Sequence, residues 1–269
     1  MKPGTNHAPI ILPDYKLIFF PLQKVGGTVW KQLFRRMMGF PDWRTGPTWG
    51  PMTGLIQLHH FDLPNATRLL NDPTYLRAMM VRDPKDRFLS AYLDKAVKTD
   101  YLMTHFCPQP SKNKKSSAQN AAQDVCRHGL RNNHTISFAQ FLDITSVCHD
   151  THWMPQSHRL DSQFYPLLDF VGRLETAAQD AQALLERLGA WDDFGKTGWG
   201  KYENESIFQS TSFVMHKTND QSSSSSFRLK QYYTPELEAR VEERLQTDYN
   251  NPQFCLPLVK IDYTTATTP

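Results

Sequence analysis

The sequence has 269 residues, of which 39% are hydrophobic and 21% are charged, and its formal net charge is +3 at neutral pH. This composition is typical of a soluble globular protein with a core, excludes a wholly disordered chain, and does not indicate nucleic acid as a partner. The best apolar run, residues 17–21, is far shorter than the ~20 residues of a membrane helix. Residues 1–14 are predicted to be an N-terminal extension, without the apolar core of a signal peptide.

The first predicted unit consists of a strand, a glycine turn and a helix. Residues 15–21 are a short apolar run that is typical of a buried strand, and Gly26 and Gly27 lie in the turn that follows. From residue 28 to residue 38, apolar side chains recur at helical spacing, and Gly39 ends the predicted helix.

Strands and helices alternate along the rest of the chain. The sequence predicts a strand at 76–81, helices at 86–98, 137–144, 176–188 and 234–247, and a third apolar segment at 164–171. A polar surface insertion is predicted at 107–135 and a Ser-rich loop at 221–226. This alternation predicts an α/β fold in one domain, residues 1–269, with a central parallel sheet flanked by helices.

The four cysteines do not have the spacing of a metal site. Cys107 and Cys126 flank a polar stretch, and both a disulfide and two free thiols fit the sequence. The segment Cys148-His149-x-x-His152 has no fourth ligand spaced nearby. We therefore expect no bound metal.

The turn after the first strand has the composition of an anion site. It contains Lys24, Val25, Gly26, Gly27 and Thr28. The N–H groups of a glycine turn and the positive end of a helix favour a phosphate, Lys24 adds a full charge, and Thr28 adds a hydroxyl donor. The lysine precedes the glycines, which is not the order in ATP-hydrolysing P-loops. A plain strand-to-helix turn with an exposed lysine is the structural alternative.

A second group of polar residues follows the second predicted strand. Arg82 lies where that strand ends, on the side of an α/β sheet where ligands usually bind. Ser90 lies in the first turns of the next helix and can donate to the same anion. Arg87, between them, fits a structural ion pair equally well.

Together the two segments resemble the Golgi-type carbohydrate sulfotransferases, the family that includes the chondroitin, dermatan and heparan sulfate 2-O enzymes. Residues 21–31 are similar to that family's 5′-phosphosulfate loop, Pro-x-x-Lys-Val-x-x-Thr-x-Trp-Lys. Residues 81–95 are similar to its 3′-phosphate segment, Val-Arg-(Asp/Glu)-Pro-x-x-Arg-(Leu/Phe)-(Leu/Val)-Ser-Ala-Tyr-x-x-Lys. Two further blocks, at 152–175 and 230–237, resemble the family in the same order along the chain.

The resemblance implies a fold related to nucleotide kinases that binds the donor 3′-phosphoadenosine 5′-phosphosulfate (PAPS) and releases PAP. Sulfuryl transfer from PAPS has no intrinsic need for a metal, and Lys24 is suited to the bridging oxygen that leaves with PAP. In this family a loop near the C-terminus closes over the nucleotide. The resemblance assigns the 5′-phosphosulfate to Lys24, Val25, Gly26, Gly27 and Thr28, the 3′-phosphate to Arg82 and Ser90, and the closing loop to Lys217, Thr218, Arg228 and Lys230.

The acceptor hydroxyl needs a base that takes its proton, and histidine is a usual choice. His60 precedes Arg82 by an interval similar to that of the catalytic histidine in heparan sulfate 2-O-sulfotransferase, so it is the first predicted base. Its neighbour His59 is a substitute, and His152 in the third block is the alternative base. His59, His152 and Arg173 are also predicted to contact the acceptor.

These features predict an enzyme, a PAPS-dependent sulfotransferase that acts on a carbohydrate hydroxyl. One alternative keeps the chemistry with a small hydroxylated metabolite as the acceptor, and another is a PAP-binding or interaction protein without catalysis. A P-loop kinase would instead require ATP and Mg²⁺. The expected partner is the acceptor, with no nucleic acid and no membrane segment. The expected location is the Golgi lumen if an N-terminal anchor has been removed, and the cytoplasm otherwise.

Overall fold

The computed structural model describes residues 8–99, 101–102, 136–209 and 225–264. These residues form two compact units. The first contains the described parts of Met1–Arg82 and Leu160–Gln221, and the second contains those of Asp83–Arg159 and Ser222–Pro269. The single domain expected over residues 1–269 stays a prediction.

Helices and strands both contribute to the described part of the chain, which confirms the predicted α/β class. The strands are β1 (Ile10–Leu12), β2 (Leu17–Phe20), β3 (Leu76–Val81) and β4 (Phe170–Arg173). The α-helices are α1 (Gly27–Met37), α2 (Leu63–Asn71), α3 (Pro84–Tyr92), α4 (Phe138–Val147), α5 (Ala177–Arg187), α6 (Ser225–Tyr232), α7 (Pro235–Arg244) and α8 (Gln246–Tyr249). Among these helices, none has both the length and the apolar sequence needed to cross a membrane.

The first unit is built on a sheet with the strand order β1-β2-β3-β4. β2, β3 and β4 are parallel, as predicted, but β1 pairs antiparallel with β2, so the sheet is mixed rather than wholly parallel. β1 was not predicted, because residues 1–14 were assigned to an N-terminal extension. The three residues of β1 are at most 1% exposed, and that burial stabilises so short a strand at the sheet edge.

Aromatic packing holds α1 against the sheet in the first unit. Trp30 and Phe34 on α1 both contact Phe19 of β2, with ring centroids 5.2 and 4.9 Å apart, respectively. Phe208 also contacts Trp30, with ring centroids 5.3 Å apart. All of these rings are buried. The contacts fix the start of α1 relative to the end of β2, and hence the turn between them.

The second unit is helical and has an aromatic core. Phe141 of α4 contacts Phe88 of α3 at 5.2 Å and Trp153 at 5.6 Å. Beneath α7, the buried ammonium of Lys85 donates to Glu238 Oε1 at 2.6 Å and to Glu242 Oε1 at 3.0 Å. Two carboxylates compensate the desolvation of one buried cation, so this cluster fixes α3 against α7.

Three predicted element boundaries differ from the structure for local reasons. The helix predicted from residue 86 begins at Pro84, because the Asp83 side chain caps it, and it becomes π-helical over Leu93–Lys98. Residues Ser162–Leu167 form a 3-10 helix that contains Pro166, so only the end of the predicted segment 164–171 is a strand.

The predicted insertions fall largely outside the described residues. Residues 107–135 lie there entirely, together with Cys107 and Cys126. Of the predicted Ser-rich loop 221–226, residues 221–224 also lie outside, but α6 begins at Ser225, so the loop prediction was wrong at its end. A helix that continues through Phe227 and Leu229 includes the last serines as its first turn.

Candidate functional site

The loop between β2 and α1 turns through two left-handed backbone positions. Lys24 has φ 67° and Gly26 has φ 78°. A Cβ atom at Gly26 would lie 3.1 Å from Phe208 Cε1 and 3.3 Å from Leu174 Cδ1. Position 26 therefore requires glycine for two reasons, its left-handed φ and the close approach of two core side chains.

The N-terminus of α1 has no side-chain cap. Its N-cap residue is Gly26, and its first turn contains no acidic residue. The first N–H groups of a helix have no intrahelical acceptor, and they carry partial positive charge. Thr28 in this turn is exposed. The predicted anion loop therefore presents N–H groups and a hydroxyl that an external anion can accept from.

The two predicted nucleotide motifs meet at this loop. Arg82 follows β3 directly, and its Nη1 donates to the carbonyl oxygen of Lys24 at 3.2 Å. β2 and β3 are parallel, so both motifs begin at the carboxyl ends of neighbouring strands. The structure thus brings the main chain of Lys24 and the guanidinium of Arg82 together, and the anion contacts expected of both residues stay predictions.

Arg173 lies at the same edge of the sheet. It ends β4 and is the partner of Val81 in the parallel pairing with β3. Its backbone N–H donates to Asp180 Oδ2 at 2.7 Å, which ties the strand end to α5. The predicted role of Arg173 in acceptor binding stays a prediction.

Lys31 is a cation that the sequence analysis quoted within the motif without giving it a role. It lies one turn into α1 and is half-buried. Burial lowers the pKa of its ammonium, because the charged form loses hydration. Helical side chains lean toward the N-terminus, so Lys31 leans toward the turn that contains Gly27 and Thr28. A partly desolvated cation in this place adds to the attraction for an anion.

Ser90 and Lys230 belong to the second unit. Ser90 lies on α3 with a half-buried side chain, and Lys230 lies near the end of α6. Arg228, on the same helix, is half-buried. Lys217 and Thr218 lie outside the described residues. The nucleotide contacts expected of these residues stay predictions.

The histidine pair His59 and His60 is exposed at the end of a 3-10 helix, Leu58–His60. The backbone N–H of Gln57 donates to His60 Nδ1 at 3.3 Å. In a neutral ring whose Nδ1 accepts this bond, the proton is on Nε2. Burial lowers the pKa of His59, and the neighbouring ring of His60 lowers it further by a smaller amount.

His152 has a different environment. Its Nδ1 is hydrogen-bonded to Asp150 Oδ1, and the hydroxyl of Tyr101 donates to Asp150 Oδ2 at 3.2 Å. His152 was predicted as a site residue, but Asp150 and Tyr101 were not, since nothing in the spacing of Tyr101 from the histidine predicts the contact. The only available signal was the Asp-x-His order of residues 150–152.

Comparisons with known proteins agree with the motifs. The pattern of the Sulfotransferase family matches residues 8–251. Human carbohydrate sulfotransferase 9 is 27% identical over 187 residues, which are 65% of this chain and 40% of that protein. The chain thus spans less than half the length of this curated relative. No solved structure matches the chain significantly. The chain belongs to the sulfotransferase family, as its two motifs predicted.

Proposed function

We propose that the chain transfers a sulfuryl group from PAPS to a hydroxyl of a carbohydrate and releases PAP. The observation that carries the proposal is the uncapped N-terminus of α1, joined through the main chain of Lys24 to the guanidinium of Arg82. Membership of the sulfotransferase family supports this donor over ATP. A carbohydrate acceptor is suggested by the likeness to carbohydrate sulfotransferase 9.

The residues of the first unit fit a donor that carries two phosphate positions and a sulfonate. The N–H groups at the start of α1 and the hydroxyl of Thr28 bind the 5′-phosphosulfate, and Lys24 neutralises the charge that develops on its bridging oxygen. Arg82 binds the 3′-phosphate, for which a planar guanidinium is well suited. Ser90 is proposed as a second donor to that phosphate on the strength of the motif.

The chemistry requires little covalent help from the protein. Transfer of a sulfuryl group resembles phosphoryl transfer, where positioning and charge neutralisation lower the barrier. Lys24 carries the charge closest to the start of α1 in sequence, so its removal is expected to slow turnover by about 100- to 1,000-fold, the range for loss of one preorganised donor. The fold survives this change, because the Lys24 side chain is only half-buried.

The test is transfer of ³⁵S-labelled sulfuryl from PAPS to chemically desulfated chondroitin, in EDTA. We expect label in the polysaccharide with the wild-type chain and a loss of about 100-fold or more with Lys24→Ala. Lys201→Ala, at an exposed lysine outside the site, is the matched control. Label that reaches only a phenol such as p-nitrophenol would favour the small-metabolite alternative. PAP binding without transfer to either acceptor would favour a non-catalytic binding protein.

A further inference from the structure

Helix α1 carries three cations, and they differ in their partners. Arg35, 2% exposed, donates to Asp42 Oδ1 at 2.5 Å. Arg36 donates to the carbonyl oxygen of Thr197 at 2.8 Å. Lys31 is half-buried as well, yet within the described part of the chain its ammonium forms no hydrogen bond and no ion pair. Lys31 is therefore the cation of α1 whose partner is not accounted for by those residues.

A partly desolvated ammonium without a partner is unfavourable for the fold. Burial lowers the pKa of Lys31, and no carboxylate among the described residues offsets the effect. The buried Lys85 shows the usual solution, since Glu238 and Glu242 accept from its ammonium. The contrast indicates that the charge at position 31 serves an anion from outside the chain.

Lys31 lies on the face of α1 that carries the start of the candidate site. Gly27 and Thr28 precede it by four and three residues, so the three positions share one face of the helix. The helix rises about 6 Å over four residues, a length that a lysine side chain spans, and helical side chains lean toward the N-terminus. The ammonium is therefore expected at the level of the uncapped N–H groups, on the same face as the exposed Thr28.

We infer that the 5′-phosphosulfate of the donor is the counter-ion of Lys31, which makes Lys31 a further donor-binding residue. This assignment rests on the proposed function and adds a side-chain cation to the N–H groups of α1. Lys31 is fixed on the helix itself, whereas Lys24 lies in the turn before it. Part of the hydration of Lys31 is lost before the donor binds, so less desolvation opposes the new ion pair.

Removal of the charge should affect the fold and the binding of the donor in different ways. Lys31→Met retains most of the apolar stem of the side chain and removes the ammonium. Because this ammonium has no partner among the described residues, the midpoint of urea unfolding should stay unchanged or rise. PAP affinity, measured by calorimetry, should fall by about 10- to 100-fold, the range for losing a charged hydrogen-bond donor.

Two control variants separate the ammonium of Lys31 from the general effect of one charge. Lys201→Met removes a positive charge at an exposed lysine of the same unit and should bind PAP within about twofold of the wild-type chain. Lys31→Arg keeps the charge on α1 in a different shape, so it should recover part of the PAP affinity that Lys31→Met loses.

Two further nucleotides show which end of the donor Lys31 binds. Adenosine 5′-phosphosulfate has no 3′-phosphate, and adenosine 3′-phosphate has no 5′-phosphate. Calorimetry of Lys31→Met should show the loss of affinity with adenosine 5′-phosphosulfate as well as with PAP. Its affinity for adenosine 3′-phosphate should stay within about twofold of the wild-type value, because the 5′-phosphate that pairs with Lys31 is absent from that ligand.

The outcomes separate this inference from the proposed function. Unchanged PAP affinity in Lys31→Met would overturn the inference and leave the proposed donor intact, and so would an equal loss with adenosine 3′-phosphate. A lower unfolding midpoint with unchanged PAP affinity would overturn it too, because Lys31 would then act in the fold alone. Absence of PAP binding by the folded wild-type chain would instead contradict the proposed function itself.

Discussion

The two helices that follow the strands of the nucleotide motifs, α1 and α3, have different N-caps. At α1 the N-cap is Gly26, with no side chain to offer and no acid in the first turn. At α3 the N-cap is Asp83, whose carboxylate accepts from the N–H of Asp86 at 2.9 Å. The carboxylate of Asp83 therefore caps the N-terminus of α3, whereas the N-terminus of α1 has no side-chain cap and can bind an external anion.

The proposed function therefore expects different donors for the two phosphates. At α1 the uncapped N–H groups are expected to bind the 5′-phosphosulfate together with Lys24. At α3 the N–H of Asp86 already donates to Asp83, so the 3′-phosphate is expected to be bound by side chains, chiefly Arg82. α2, α4 and α7 also begin with side-chain caps, from Asp62, Ser137 and Thr234, respectively. An open start is therefore not general among the described helices.

The largest expected effect on PAP affinity comes from a carboxylate added to the N-terminus of α1, like the one that caps α3. Thr28→Asp places a carboxylate in the exposed first turn of α1, where it interacts favourably with the helix dipole and repels the donor. We expect PAP affinity to fall by about 100-fold or more, the equivalent of several kcal/mol of like-charge repulsion, with unfolding stability unchanged or slightly raised. Calorimetry and urea unfolding measure the two quantities.

Thr28→Ser is the matched control, since it keeps the hydroxyl and adds no charge. It should bind PAP within about threefold of the wild-type chain. An unchanged affinity in Thr28→Asp would mean that the start of α1 does not bind the donor, and the contrast between the two junctions would lose its functional meaning.

A smaller effect is expected at the closed junction. Arg82→Ala should weaken PAP binding by about 10- to 100-fold, the range for losing a charged hydrogen-bond donor. Arg82→Lys keeps the charge but not the two-pronged geometry, so it should recover only part of the affinity. PAP and adenosine 5′-phosphosulfate, which has no 3′-phosphate, should be compared by calorimetry. Equal losses for both ligands would contradict the assignment of Arg82 to the 3′-phosphate.

The smallest effect concerns the cap of α3 itself. Asp83→Ala removes the cap and should lower the free energy of unfolding by about 1 kcal/mol, the typical value for a lost N-cap. Asp62→Ala removes the equivalent cap of α2, where the Asp62 carboxylate accepts from Asn65 N–H at 2.9 Å, and gives the reference value in urea unfolding. A loss of PAP affinity in Asp83→Ala larger than about threefold would show that Asp83 does more than cap the helix.

The periodic parts of the fold could be predicted from sequence, and the short or paired parts could not. The strand at Leu76–Val81 was predicted with its observed bounds, because a run of apolar residues marks a buried parallel strand. β1 was missed because three residues give no periodicity and their pairing with β2 is decided by tertiary packing. Thr176, the first residue of the helix predicted at 176–188, does not cap α5 with its side chain, because its hydroxyl donates to Asp180.

The candidate site divides in the same way. Its charged residues could be found in the motifs, and the parallel pairing of β2 and β3 accounts for the meeting of Lys24 and Arg82. The histidines were different, because the state of a ring depends on its hydrogen-bond partners. The partners of His60 and His152 could not be predicted from the sequence, yet Gln57 and Asp150 distinguish the two rings.

The most direct test of the account is calorimetric titration of the wild-type chain with PAP, and with ATP as the control ligand. The open start of α1 and Arg82 together predict micromolar PAP binding with negligible ATP binding, in the absence of a divalent metal. Absence of PAP binding by a folded chain, or equal binding of ATP, would contradict the central claim that the start of α1 and Arg82 form a PAPS site.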